Sequence, residues 1–191
     1  METKPPDQNR VLTIPNILTV IRLLMIPVIL WLALAKEQYV AAAIVLFASG
    51  VTDVVDGFIA RKFHMTSNVG RILDPAADKL TQLSALACLC SRFIRLTIPL
   101  AVLVVKELVS GIISLVMLRR GGHAMDSRWH GKAATVLLYA TLFVHFIWAD
   151  IPVAVSIAAV AVCVTAMTLS FVLYTVRNAR IIREEKEKRN E

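Results

Sequence analysis

The chain has 191 residues, of which 57% are hydrophobic, and it carries a formal net charge of +7 with a mean hydropathy of +0.67. This composition is too apolar for a soluble domain of this length, and it predicts an integral membrane protein that crosses the bilayer several times. The excess of Lys and Arg falls mainly in the predicted loops and the tail. There it indicates membrane orientation and anionic headgroups rather than nucleic acid.

The apolar runs predict an all-α integral membrane protein with six transmembrane helices and an N-terminal interfacial segment. A disordered cytoplasmic arm is expected over residues 1–10, the six-helix domain over 11–176 and a charged cytoplasmic tail over 177–191. In chain order, the helices are expected at about residues 17–35, 39–61, 70–89, 96–118, 133–149 and 153–174.

Charged residues interrupt two of these helices. Arg22 in the first helix either extends toward the headgroups or contacts a substrate phosphate, and the sequence leaves both interpretations open. Lys106 and Glu107 lie in the middle of the fourth helix. Because adjacent helical residues do not share a face, each is expected to have its own partner. We expect Lys106 to face the active cavity and Glu107 to pair with a Lys or Arg.

The even number of helices places both termini on one side of the membrane. The loops at 62–69 and 119–132 are expected on the same side, and together these segments hold most of the Lys and Arg. The positive-inside rule therefore predicts that both termini are cytoplasmic, in the cell (inner) membrane.

Four carboxylates lie between strongly apolar segments. Asp53 and Asp56 are spaced i, i+3 on one predicted helix, and Asp74 and Asp78 are spaced i, i+4 on the next. At the centre of a bilayer each would cost roughly 2.5–3.5 kcal/mol, so the group needs compensation. An all-oxygen ligand set suits Mg²⁺ or Mn²⁺, and the sequence therefore predicts a divalent metal site that faces the cytoplasm.

The residues next to the first carboxylate pair suit a phosphate ligand. Gly57 and Ala60 share the helix face of Asp53 and leave room for a ligand or a second backbone. Arg61 places a fixed cation at the end of this face.

The pattern Asp-x2-Asp-Gly-x2-Ala-Arg-x8-Gly-x3-Asp-x3-Asp runs from Asp53 to Asp78 and resembles the signature of the CDP-alcohol phosphatidyltransferase family. Every signature position is present. The resemblance implies transfer of a phosphatidyl group from CDP-diacylglycerol, or a related CDP-alcohol, to an acceptor hydroxyl, with release of CMP. It also implies an active site that faces the cytoplasm, lipid chains that stay in the bilayer and, commonly, a homodimer.

By the same resemblance, two divalent ions are bound by the four signature carboxylates: Asp53, Asp56, Asp74 and Asp78. Asp78 is the expected general base toward the acceptor hydroxyl. The CDP-lipid is expected to contact Asp53, Asp56, Gly57, Ala60, Arg61, Gly70 and Asp74.

Within the family, the sequence looks most like the phosphatidylglycerophosphate synthases, which use glycerol 3-phosphate. That group usually has Ala-Arg-Glu in the fourth helix, where this chain has Val105-Lys106-Glu107. Its Gly-Lys-x-Lys-Thr segment appears here without the second Lys, as Gly131 to Thr135. Lys106, Arg119 and Lys132 are the expected acceptor-binding cations, and they favour glycerol 3-phosphate as the acceptor.

Two alternatives remain open. A cardiolipin synthase of the same family would use phosphatidylglycerol as acceptor and would need fewer cations in its pocket. A non-catalytic transporter coupled to cations would have its acidic residues spread along a path through the bilayer, and the clustering of these carboxylates disfavours it.

Overall fold

The computed structural model describes the backbone of residues 14–62, 70–119 and 129–188. Within these ranges it describes the side chains of residues 16–55, 62, 70, 73–113 and 131–177. This part of the chain is helical and contains no strand. The arm predicted over residues 1–10 and most of both predicted polar loops, at 63–69 and 120–128, lie outside the described residues.

Six α-helices follow one another along the described chain. They are α1 (Ile14–Leu30), α2 (Tyr39–Lys62), α3 (Gly70–Cys90), α4 (Thr97–Arg119), α5 (Trp129–Ile147) and α6 (Val153–Lys188). A π-helical turn, Trp31–Ala35, extends α1, and a short 3-10 turn, Ile94–Leu96, precedes α4. The all-α prediction is therefore confirmed for the described residues.

Two helices begin earlier than predicted. α1 starts by Ile14, so residues assigned to an interfacial segment are helical; Pro15 fits there because the first turn of a helix needs no N–H donor. α5 starts at Trp129 instead of Ala133, so Lys132 belongs to its first turn rather than to a loop. In both cases the helix is longer than its apolar run. A polar turn at the end of a helix forms the same backbone hydrogen bonds as an apolar turn, so hydropathy does not mark its start.

The C-terminal helix is also longer than its apolar run. α6 continues as a single helix to Lys188, through most of the segment predicted as a charged tail. Its apolar part ends at Arg177, and the charged residues follow on the same helix.

Three described helices are long and apolar enough to cross a membrane: Asn16–Ala35, Ile94–Ile113 and Val153–Arg177. The apolar parts of α2 and α5 are shorter, Tyr39–Val55 and Gly131–Ile147. Large apolar side chains such as Leu24, Phe47 and Leu108 are exposed, which is the pattern of helices that face lipid. Membrane spanning is thus supported for three of the six predicted helices by length and composition.

The chain divides into two compact units, residues 1–88 and 89–191. In the first unit α1 packs along α2, and small buried residues such as Ala42 and Ala43 allow the close approach of helices. A side-chain hydrogen bond from Thr19 connects α1 to Asp74 at the start of α3. The first unit therefore holds the beginning of α3 against α1.

In the second unit α6 packs against both α4 and α5. Its core contains a buried histidine, His145, whose Nδ1 lies 2.8 Å from the Thr141 carbonyl oxygen and whose Nε2 lies 2.9 Å from Ser156 Oγ. Because a carbonyl can only accept, Nδ1 carries the hydrogen, and in the neutral ring Ser156 donates to Nε2. This hydrogen bond joins α5 to α6, as expected of a packing histidine.

Candidate active site

The signature residues lie on two helices of the first unit. The end of α2 carries Asp53, Asp56, Gly57, Ala60 and Arg61, and the beginning of α3 carries Gly70, Asp74 and Asp78. Among the signature residues on α2, Asp53 is the one whose side chain the structure describes. On α3 the structure describes all three residues, and Gly70 is buried.

Two of the carboxylates are held by neighbouring residues of α1. Arg22 contacts Asp53 and Thr19 contacts Asp74, so the end of α2 and the beginning of α3 meet the same part of α1. Asp78 follows Asp74 by one helical turn, which places its negative charge in the same region. All three side chains are partly buried, and the side chain of Asp53 is 44% exposed. This arrangement concentrates negative charge at a place that solvent and ligands reach, which favours binding of a cation.

Arg22 lies beside this cluster. Its Nη1 is 2.6 Å from Asp53 Oδ1, and its side chain is only 2% exposed. The structure therefore excludes the interpretation in which Arg22 extends to the headgroups. The other interpretation, a phosphate contact, stays a prediction, while the observed ion pair was not predicted.

The other two described carboxylates also accept hydrogen bonds from buried polar residues. The Thr19 hydroxyl donates to Asp74 Oδ1, and Gln82 Nε2 donates to Asp78 Oδ2 at 2.8 Å. Thr19 is fully buried and Gln82 nearly so.

The sequence reasoning did not identify Thr19 and Gln82, although both left a signal. Asn16, Thr19 and Arg22 recur at spacings of three along an otherwise apolar helix, and all three are buried. Gln82 follows Asp78 by four residues, which places the two on the same helix face.

The chemistry of the donors fits a divalent metal ion. The cluster supplies carboxylate oxygens, the ligands that Mg²⁺ and Mn²⁺ prefer, and no thiolate or imidazole lies among the signature residues. Among the described side chains, no group of three or more His, Cys, Asp or Glu residues is arranged as a ready metal site. The fourth carboxylate, Asp56, lies outside the described side chains.

The residues expected to bind the acceptor belong to the second unit. Lys106 Nζ lies 3.2 Å from Glu107 Oε1. We expected each of these adjacent charges to have its own partner, but here they contact each other. Their long side chains overcome the 100° that separates them around the helix. The prediction that Glu107 pairs with a Lys or Arg is thus met by its own neighbour. Lys132 is exposed in the first turn of α5, and Arg119 ends α4 with its side chain outside the description.

Residues 12–174 match the model of the CDP-alcohol phosphatidyltransferase family. The chain belongs to this family. The match covers the whole signature and extends over α1 to most of α6, so the predicted family and the prediction of an enzyme are confirmed.

Relatives in the family carry two different names. The chain is 41% identical over 138 residues to a cardiolipin synthase (CMP-forming) of Streptomyces coelicolor, a match covering 69% of this chain and 64% of the relative. It is 31% identical over 176 residues to a CDP-diacylglycerol–glycerol-3-phosphate 3-phosphatidyltransferase of Sodalis glossinidius, covering 87% of this chain and 96% of the relative. Both names denote transferases of phospholipid synthesis, but they differ in the acceptor.

Proposed function

We propose that this protein transfers the phosphatidyl group of CDP-diacylglycerol to the hydroxyl of an alcohol acceptor and releases CMP. One observation carries the proposal: the family signature is complete, and two of its carboxylates, Asp53 of α2 and Asp74 of α3, contact neighbouring residues of α1. A transporter with carboxylates along a bilayer path does not account for such a cluster. Acidic residues grouped in this way would hold the metal ions that neutralise a charged diphosphate.

Two divalent ions, Mg²⁺ or Mn²⁺, are proposed for the site, with Asp53, Asp56, Asp74 and Asp78 as their ligands. When bound, such ions neutralise the diphosphate and stabilise the attacking and leaving oxygens. Gly57, Ala60 and Gly70 would allow the cytidine diphosphate to approach the backbone closely. Arg61 would hold one of its phosphates.

The proposed step is an in-line displacement at the phosphorus that carries diacylglycerol. The acceptor oxygen forms a bond to this phosphorus while the bond to the bridging oxygen of CMP breaks, and CMP leaves with the electron pair. Asp78 is proposed to accept the proton of the hydroxyl, and its contact with Gln82 orients it for that role. The lipid chains remain in the bilayer beside the helices.

For the acceptor, two observations favour phosphatidylglycerol, which would make cardiolipin the product. Ala134 stands where the glycerol 3-phosphate group usually has its second Lys, and it is buried. The charge of Lys106 is already partly neutralised by Glu107. A phosphodiester has one negative charge, whereas a phosphomonoester has nearly two at neutral pH, so phosphatidylglycerol needs fewer cations.

Glycerol 3-phosphate is the second candidate, and the sequence alone ranks it first. It is supported by the relative of that name, which aligns over most of both chains, and by the remaining cations Lys106, Arg119 and Lys132. The reaction class is the same for both acceptors.

We further propose that all six helices cross the cell (inner) membrane with both termini and the carboxylates on the cytoplasmic side. The positive-inside distribution of Lys and Arg supports this orientation. A homodimer is proposed from the family resemblance alone.

The experiment is an acceptor screen on the purified protein in detergent with Mg²⁺ and CDP-diacylglycerol labelled in the cytidine. Phosphatidylglycerol, glycerol 3-phosphate, serine and inositol are compared by CMP release and by the lipid formed. Cardiolipin formation from phosphatidylglycerol supports the first candidate. Product from glycerol 3-phosphate alone replaces it with the second candidate. Activity with neither, but with serine or inositol, excludes both.

A further inference from the structure

We infer that Thr19 and Arg22 of α1, together with Gln82 of α3, are positioning residues that fix the signature carboxylates in the direction needed to bind divalent ions. The inference rests on the proposed function, because it concerns how the metal ligands of that reaction are held. It adds a role for α1, a helix that contains no residue of the signature.

The three contacts have a common geometry. They are Thr19 to Asp74 Oδ1, Arg22 to Asp53 Oδ1 at 2.6 Å and Gln82 to Asp78 Oδ2 at 2.8 Å. In each case a buried donor binds one oxygen of a carboxylate that is itself only partly buried. A carboxylate held at one oxygen presents the other in a defined direction. Hydrogen bonds of this kind orient metal ligands in many proteins.

The buried donors have little freedom to release their carboxylates when a metal ion binds. Arg22 is 2% exposed, and separating a buried guanidinium from an anionic partner is unfavourable. Thr19 is completely buried, so bulk water does not reach its hydroxyl to compete with Asp74. We therefore expect both contacts to persist with the ion bound, each through the same carboxylate oxygen.

Because Arg22 is positively charged, the direction in which its removal changes the affinity for a divalent cation distinguishes two possible roles. If Arg22 acted only as a counter-ion, removing its positive charge would strengthen the binding of a divalent cation nearby. If it positions Asp53, removing it lets the carboxylate rotate, and cation binding weakens. The two roles predict opposite changes in affinity.

The experiment measures Mn²⁺ binding to the full-length protein in detergent, with the metal alone as probe and the free ion detected by electron paramagnetic resonance. Thr19→Val keeps the shape of the side chain but removes the donor, and Thr19→Ser keeps the donor. The matched control is Thr81→Val, because Thr81 is a buried residue of the same unit whose hydroxyl donates to the backbone carbonyl of Ala77. Arg22→Gln and Arg22→Lys form the second pair.

Thr19→Val and Arg22→Gln are expected to weaken Mn²⁺ binding about 10- to 100-fold, the effect typical of losing a residue that orients a metal ligand. Thr19→Ser and Thr81→Val should stay close to wild type, and Arg22→Lys should fall between Arg22→Gln and wild type. The Mn²⁺ concentration that gives half-maximal CMP release should shift in the same order. If Thr19→Val does not fold, the inference is decided by whether Arg22→Gln weakens or strengthens Mn²⁺ binding.

Wild-type affinity in Thr19→Val, or tighter binding in Arg22→Gln, overturns the inference while leaving the proposed function intact, provided the wild type releases CMP with a metal ion. A wild-type protein that neither binds Mn²⁺ nor releases CMP overturns both. The failure of the inference is thus distinguishable from that of the proposed function.

Discussion

The ion pair between Arg22 and Asp53 should appear as a strong energetic coupling between α1 and α2. We consider Arg22→Gln, Asp53→Asn and the double variant, in which two amides replace the two charges. Removing one partner of a fully buried pair costs about 3–5 kcal/mol, because the remaining charge is left uncompensated. Here the Arg22 side chain is 2% exposed but that of Asp53 is 44% exposed, so water compensates part of the loss.

We therefore expect each single substitution to cost about 2–3 kcal/mol, at or below the low end of that range. The negative charges of Asp74 and Asp78 repel that of Asp53. Asp53→Asn removes this repulsion, which lowers the cost of that substitution. Arg22→Gln leaves the repulsion without the compensating positive charge, which raises the cost. The double variant carries neither charge of the pair and should cost about 2 kcal/mol less than the sum of the two single substitutions.

The assay is unfolding by SDS titration in mixed micelles, followed by circular dichroism. Asp150→Asn is the control, since Asp150 is an exposed carboxylate in the turn between α5 and α6 and should change stability by less than about 0.5 kcal/mol. A coupling below about 0.5 kcal/mol, or an Asp53→Asn variant as stable as Asp150→Asn, would refute the reasoning from the ion pair.

Three further substitutions test separate parts of the account. Asp78→Asn should lower turnover by about 10²–10⁴-fold, the usual contribution of a general base, while equilibrium binding of labelled CDP-diacylglycerol persists; substantial turnover would remove Asp78 from the base role. Lys106→Ala should raise the KM of the acceptor more than that of CDP-diacylglycerol in steady-state assays, and equal effects would place Lys106 outside the acceptor pocket. Ser156→Ala leaves the buried Nε2 of His145 without its donor and should lower stability by about 1–3 kcal/mol in the SDS titration, with kinetic constants unchanged; a kinetic defect without loss of stability would contradict this packing role.

Much of the fold could be predicted because bilayer segments must be apolar and helical to satisfy their backbones. The helices α2 and α3 lie within about one residue of their predicted bounds, and residues 36–38 lie between two helices as those bounds require. Helix ends at the polar boundary were less predictable. The first turn of α5, from Trp129 to Lys132, contains no apolar run, although its backbone is helical.

The pairing of charges was the weaker part of the prediction. Helix geometry separates the side chains of Lys106 and Glu107 by 100°, yet two long, flexible side chains still reach each other. Arg22 was expected either to extend toward the headgroups or to contact a substrate phosphate, but it contacts a carboxylate of another helix. Such contacts depend on tertiary packing, which the spacing of residues along one helix does not reveal.

The signature carboxylates were the most predictable feature of the site, since charged groups in an apolar chain need a function or a partner. What the sequence did not reveal was the set of residues around them. Only the fold brings Thr19 of α1 to Asp74 of α3.

The most direct test of the central claim is CMP release from CDP-diacylglycerol by the purified protein, measured with phosphatidylglycerol as acceptor, with and without EDTA. The account predicts CMP release that depends on acceptor, is abolished by EDTA and returns when Mg²⁺ or Mn²⁺ is added in excess. Absence of CMP release with phosphatidylglycerol and with glycerol 3-phosphate, or release unaffected by EDTA, would contradict metal-dependent phosphatidyl transfer as the function of this protein.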